Sequence, residues 1–106
     1  MLALTIDSED YPGGATARGS FLWSAGSLGS CVRIFDLTTG EPLGTETCHT
    51  PDHPGVRDER WDQTGSFALP AGEHQLAWQM QNPVCVAACV NDRVYVAHVD
   101  LIIEWP

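Results

Sequence analysis

The strongest constraint on the fold is an alternation of apolar and polar side chains with a period of two. In the clearest stretch, 73–81, polar residues alternate with His74, Leu76, Trp78 and Met80. Similar alternation covers 2–7, 17–25 and 95–105. Successive side chains of a β-strand point to opposite faces, so the pattern predicts strands with one face in a core and one in water. The run at 95–105 is the longest, and we expect it to be a central strand.

Turn signals separate these runs. Gly40, within Thr38–Pro42, predicts a hairpin between 31–37 and 43–49. Pro70 and Gly72 predict a second hairpin that joins 66–69 to the strand at 73–81. No stretch of helical length keeps a period of 3.6. We therefore predict an all-β fold, an antiparallel and jelly-roll-like β-sandwich of about eight strands, built as a single domain over residues 1–106.

The charge balance limits the classes of partner. The chain carries 14 acidic residues and five arginines, with no lysine, for a net charge of −9. Nucleic acids and anionic lipids both select basic surfaces, so we expect neither as a partner. No apolar run reaches membrane-spanning length, and no basic segment precedes an apolar one near the N-terminus, so we expect no membrane span and no secretory signal.

The four cysteines suggest an oxidising environment. If the first hairpin is centred between Thr39 and Gly40, Cys31 lies directly opposite Cys48, at a spacing that a disulfide can close. Cys85 and Cys89 then remain and need a sharp turn to meet. We predict bridges 31–48 and 85–89, and four buried, reduced thiols are the alternative.

The spacing of the candidate residues gives only weak support for metal binding or catalysis. A zinc site would have to use Cys48, His49, Asp52 and His53, whose spacing matches no familiar structural site. Calcium would have to use Asp52, Asp58, Glu59 and Asp62, without a recognisable calcium loop. The segment Gly26–Gly29 is one residue too short for a nucleophile elbow. We expect no metal, no cofactor and no enzymatic activity.

Aromatic residues offer candidate contacts. Trp23, Trp78 and Trp105 fall on the apolar faces of predicted strands, so we expect them in the core. Tyr11 and Trp61 stand among polar residues, and we predict that these two contact a partner. Stacking of sugars on such rings makes a carbohydrate-binding module the alternative function, although the inward tryptophans make it the less favoured one.

The N-terminal residues 1–15 could form an assembly arm. Leu2, Leu4 and Ile6 form a short apolar strand, and Tyr11–Gly14 could act as a hinge that lets this strand pair with a neighbouring subunit. We therefore add these three residues to the predicted partner contacts. An ordinary first strand of the same domain is the alternative.

Three phrases together resemble a known group of proteins. They are VRIFDLTTG at 32–40, GSFALPAGEH at 65–74 and AHVDLIIE at 97–104. They resemble small jelly-roll-like proteins of tailed bacteriophages, in which LYNVTTG, F-x-LPAG and A-x-L-x-IE segments recur. The resemblance covers about 17–105.

The resemblance implies a structural virion protein, such as a capsid decoration (cement) protein, a head fibre or a tail or baseplate piece. For a decoration protein it implies the major capsid protein as partner, with the chain itself as a further partner in a homo-oligomer. It also implies synthesis in the host cytoplasm and release by lysis, after which the thiols would oxidise without a signal peptide.

Overall fold

The computed structural model describes residues 2–25, 29–50, 59–81 and 95–106. A single turn of 3-10 helix, Ser8–Asp10, follows the first strand. Eight strands lie in these ranges: β1 Leu2–Asp7, β2 Thr16–Ser24, β3 Ser30–Asp36, β4 Glu41–His49, β5 Arg60–Gln63, β6 Phe67–Ala68, β7 Glu73–Gln81 and β8 Tyr95–Glu104.

The strands form two antiparallel sheets. The first sheet has the order β1-β7-β3-β4. In the second sheet β2 is central, with β5 and β6 along one edge and β8 along the other. One buried cluster draws Ile34, Leu76 and Trp78 from the first sheet and Phe21 and Trp23 from the second. The shared cluster confirms the predicted all-β sandwich.

The alternation correctly predicted the centre of the core. Trp23 is fully buried and Trp78 is 2% exposed. Phe21 packs against Trp23 edge to face, with ring centroids 5.4 Å apart. Because a buried aromatic ring removes a large apolar area from water, these side chains dominate the stability of the sandwich.

Two expectations about the ends of strands were wrong. Trp105 is 53% exposed, because β8 and its pairing with β2 end one residue earlier, at Glu104. Met80, near the end of β7, is 37% exposed. Among the described residues β8 pairs with β2 alone, so its central position in the sheet stays a prediction.

The predicted second hairpin does not form. β6 pairs with β2 in the second sheet, whereas β7 pairs with β1 and β3 in the first. Both edges of β7 are therefore occupied, and the turn at 69–72 carries the chain from one sheet to the other. Proline and glycine signal a turn, but they do not specify which strand pairs with which.

The hairpin of β3 and β4 contains a register shift. Ile34 pairs with Leu43, and this register centres the turn between Thr38 and Thr39, one residue earlier than predicted. Beyond it, Arg33 faces the three residues 44–46, after which Val32 pairs with Thr47. This bulge in β4 restores the register, so Cys31 lies opposite Cys48 as predicted.

Candidate interaction surface

Among the described residues, Asp36 and His74 are the titratable groups with shifted pKa values, and they pair at the end of β3. The Asp36 side chain is 1% exposed, and its Oδ2 lies 2.7 Å from Nδ1 of His74. Its Oδ1 accepts bonds from the N–H groups of Thr38 and Thr39 at 2.9 and 3.3 Å. Nε2 of His74 lies 3.0 Å from the carbonyl oxygen of Ala71. Since both ring nitrogens face acceptors, the imidazolium form suits the site, which leaves no nitrogen free to act as a base.

The surroundings shift both pKa values toward the charged pair. Burial raises the pKa of Asp36, but the bonds from His74, Thr38 and Thr39 outweigh it, and the pKa is lowered overall. The bond to the Ala71 carbonyl raises the pKa of His74 against the effect of burial, and the bond and charge of Asp36 raise it further. The pair therefore connects the end of β3, beside the β3–β4 turn, to β7.

Stability should fall on both sides of a plateau set by this pair. The lowered pKa of Asp36 contributes stability above its ordinary value of 3.8, which is lost as the pH falls through the lowered value. The raised pKa of His74 contributes stability below its ordinary value of 6.5, which is lost as the pH rises through the raised value. We therefore expect Tm to be highest between the two ordinary values, pH 3.8 and pH 6.5. His74→Gln should flatten the alkaline limb, whereas His98→Gln, at an exposed histidine, should leave it in place.

A row of three side chains crosses the outer face of the second sheet. Leu22 of β2 is paired with Trp61 of β5 on one side and with His98 of β8 on the other. The Trp61 side chain is 56% exposed. Its ring meets the His98 ring edge to face, with centroids 5.6 Å apart. We call Trp61, Leu22 and His98 the cross-strand row.

Polar side chains border the cross-strand row. Ser20 pairs with Gln63 and with Asp100. Each of these three residues is two positions along its strand from a member of the row. Nε2 of His98 lies 3.1 Å from Oδ2 of Asp100. Gln63 Oε1 accepts a bond of 2.9 Å from Nε of Arg18. The surface therefore combines the aromatic and apolar side chains of the cross-strand row with amide and carboxylate groups beside them.

Bonds to the core hold the short strand β5 in place beneath Trp61. The indole N–H of the buried Trp23 donates to Oδ2 of Asp62 at 2.8 Å, and Nε of Arg60 approaches the same oxygen at 2.8 Å. Just after the strand, Thr64 Oγ1 accepts from the N–H of Gly19 at 2.9 Å, and the Thr64 N–H donates to the Gly19 carbonyl at 2.9 Å. Trp61 is thus presented from a strand fixed at both ends, which lowers the entropy lost when it binds.

Tyr11 lies elsewhere and pairs with Trp105. Their ring centroids are 6.2 Å apart. Beside them is a cleft of about 240 Å³, lined in part by Tyr11, Pro12 and Leu69. Glu104, next to Trp105, pairs with Thr16, six residues along β2 from Leu22. At about 3.3 Å per residue, the two aromatic pairs are roughly 20 Å apart, so the fold does not bring Tyr11 and Trp61 together.

The predicted arm residues form part of the first sheet. β1 pairs with β7 from Leu2 opposite Trp78 to Asp7 opposite Glu73. Ile6 is 7% exposed within the core, and Leu4 packs against the core while staying half-buried. In this conformation the segment is an ordinary first strand, and residues 2–6 could meet a partner through the outer edge of β1. The exchange of β1 between subunits stays a prediction.

The cysteines and metal candidates divide between described and undescribed residues. Cys31 and Cys48 form the predicted disulfide. Glu46 lies near its sulfurs, but bonded sulfurs are not thiolates and do not provide a zinc site. Cys85, Cys89, Ser27 and the loop candidates Asp52, His53 and Asp58 lie outside the described residues, so the second predicted bridge stays a prediction.

The sequence pointed to Trp61 but missed the rest of the row. The alternation at 17–25 places Leu22 on the face opposite to Trp23, but nothing local links it to Trp61 and His98. The alternation of His98 with Val99 was the one available signal for an outward histidine.

No protein-family model, curated protein or solved structure matches this chain. Within the described ranges, none of the helical structure is long and apolar enough to cross a membrane. The fold and surface define a disulfide-containing, antiparallel β-sandwich with an exposed aromatic row on one sheet.

Proposed function

We propose that this chain is a structural virion protein of a bacteriophage, specifically a decoration protein that docks on the capsid surface. The observation that carries the proposal is the exposed Trp61, held on a fixed strand in the cross-strand row. Tryptophan is enriched among the residues that dominate protein interfaces, and a large exposed ring supports a binding role. The partner would be the major capsid protein, and the protein would reside in the virion.

Other features support the same role. The net charge of −9 disfavours contact with packaged nucleic acid and suits the outside of a particle. The Cys31–Cys48 disulfide suits a protein that persists after lysis. The three phrases that resemble phage jelly-roll proteins add to this support. We also propose a jelly-roll-like topology, since the chain crosses between sheets at β1–β2, β2–β3, β4–β5, β6–β7 and β7–β8.

A pair of tryptophan variants tests the docking surface. Trp61→Ala should weaken binding to empty shells of the source phage roughly 30-fold, the effect of losing an interface residue worth about 2 kcal/mol. Trp105→Ala removes another ring that is about half exposed and should leave binding unchanged. Binding is measured by co-sedimentation with shells, after circular dichroism shows both variants folded. An equal loss in both variants would contradict docking through Trp61, and absence of the wild-type chain from purified particles would refute the virion role.

A carbohydrate-binding module is the second candidate, favoured by the groups around Trp61. An indole face can stack on a sugar ring while the Gln63 amide and the Asp100 carboxylate bond its hydroxyls. The same variants distinguish this function in a glycan titration. Micromolar binding that is lost in Trp61→Ala, without binding to shells, would replace the decoration role with this one.

A further inference from the structure

The edges of the two sheets differ in how they are protected from pairing with another chain. An open strand edge presents unpaired N–H and C=O groups, and charges, proline, bulges or short strands normally block it. Within the described residues, β4 and β1 each pair with one neighbour in the first sheet. β4 carries Pro42, the bulge at 44–46 and the acidic Glu41, so its edge is blocked in three ways.

The edges of the second sheet are also protected. β5 and β6 have only four and two residues. β8 carries Asp100 and Glu104 and has a register shift where it passes Leu22 and Trp23. These features make either edge a poor template for a further strand.

Residues 2–6 of β1 lack each of these protections, and the one charged residue of the strand, Asp7, stands at its end. Residues 2–6, Leu-Ala-Leu-Thr-Ile, contain no charge and no proline, and their pairing with β7 runs without a register shift. Leu4 packs against the core but stays half-buried, and Ala3 and Thr5 are exposed on the other face. Among the described residues nothing pairs with the outer edge of β1, and this edge is regular and largely apolar.

We propose that this edge pairs antiparallel with β1 of a second copy of the chain, so that two four-stranded sheets become one continuous sheet. The sequence of the edge selects the occupant, because about Leu4 an antiparallel pair of copies sets Leu2 opposite Ile6 and leaves no charge within residues 2–6. The net charge of −9 on each copy opposes the pairing, and residues 2–6 form the uncharged edge where that repulsion is smallest. A two-fold axis at Leu4 sets Leu4 against Leu4 of the second copy and each Ala3 against the other copy's Thr5.

This arrangement differs from an exchanged arm. In the proposed dimer β1 keeps its partner β7 and gains a second one, so Ile6 stays in its own core. An exchanged β1 would leave its own β7 and pair with the other copy's β7. The inference goes beyond the decoration role, since the dimer would form without a shell.

Charge-swapped variants test the pairing. Lysines at Ala3 and Thr5 place like charges opposite each other across the two-fold axis, and so do glutamates at the same positions. We expect Ala3→Lys/Thr5→Lys and Ala3→Glu/Thr5→Glu each to raise the dimer Kd about tenfold in sedimentation equilibrium. An equimolar mixture should restore dimers that contain one copy of each variant, as read by native mass spectrometry.

Controls separate this effect from net charge and from misfolding. Thr16→Lys/Ser66→Lys adds the same two charges at exposed positions at the start of β2 and just before β6, and it should not weaken the dimer. A thermal transition like that of the wild type shows that each variant is folded. A monomeric wild type at about 200 μM, a lysine variant that stays dimeric, as an exchanged arm would, or a mixture that fails to pair would each overturn the inference.

The test is independent of the proposed function. Trp61 lies in the second sheet, so Trp61→Ala should still dimerise. A dimer that binds no shell counts against the decoration role alone. A strict monomer that binds shells through Trp61 counts against the β1 dimer alone.

Discussion

Trp23→Ala is expected to destabilise the protein by about 3–5 kcal/mol, the usual cost of emptying a buried aromatic site. Trp23 is fully buried, packs edge to face on Phe21 and donates to Asp62. The substitution leaves a cavity between the two sheets and removes the bond that holds β5 in place. For a domain of about 100 residues this lowers Tm by roughly 15–30 °C, measured by circular dichroism with the disulfide intact.

Two further variants divide this loss into its parts. Trp61→Ala removes the same ring from the surface and should change stability by less than about 1 kcal/mol. Trp23→Phe keeps most of the buried volume but removes the N–H that bonds to Asp62, so its loss should be intermediate. If Trp23→Ala and Trp61→Ala cost the same, the placement of Trp23 between the sheets is contradicted.

Gly44→Ala is expected to cost about 2–4 kcal/mol, since strain and a steric clash act together. Gly44 lies in the bulge of β4 with φ +71°, in the left-handed region that favours glycine. A Cβ atom there would clash with the carbonyl oxygen of Gly65. That oxygen belongs to backbone held by the bond from the Gly65 N–H to the Thr45 carbonyl, 3.0 Å long. Relief of the clash would therefore separate β4 from the second sheet.

Gly40→Ala is the matched control. Gly40 has a similar φ of +78°, but a Cβ atom built there meets nothing within 4 Å. Its cost should reflect the left-handed backbone alone, about 1 kcal/mol. Urea unfolding of both oxidised variants compares the two sites. Equal losses would contradict the close contact between the bulge and Gly65.

The disulfide shows how a correct prediction can rest on an incomplete account. The expected turn centre placed Cys31 opposite Cys48, but the turn lies one residue earlier, and on its own it would put those residues out of register. The bulge at 44–46 corrects the difference. Gly44 allows the bulge, but its contact with Gly65, 21 positions away, could not be read from the local pattern.

The cross-strand row could not be predicted from the sequence, for a related reason. Exposure of Trp61 followed from its polar neighbours, because burying such a segment would remove charged groups from water. Its two companions come from strands about 40 residues away on either side. Which strands lie beside β2 depends on how the whole chain packs, and period-two alternation is the same for any choice of neighbour.

The sequence by itself determined most of the strands and the inward direction of Trp23 and Trp78, since alternation in a strand is a local property. The exposure of Trp61 followed from its polar neighbours, but the short strand β5 that carries it was not predicted. Only the tertiary structure decided that β6 and β7 belong to different sheets, that Trp105 lies beyond the end of the core, and that Asp36 and His74 form a buried pair. These features depend on contacts between residues far apart in the chain. The free energies of these contacts depend on the packing of both sheets around one core.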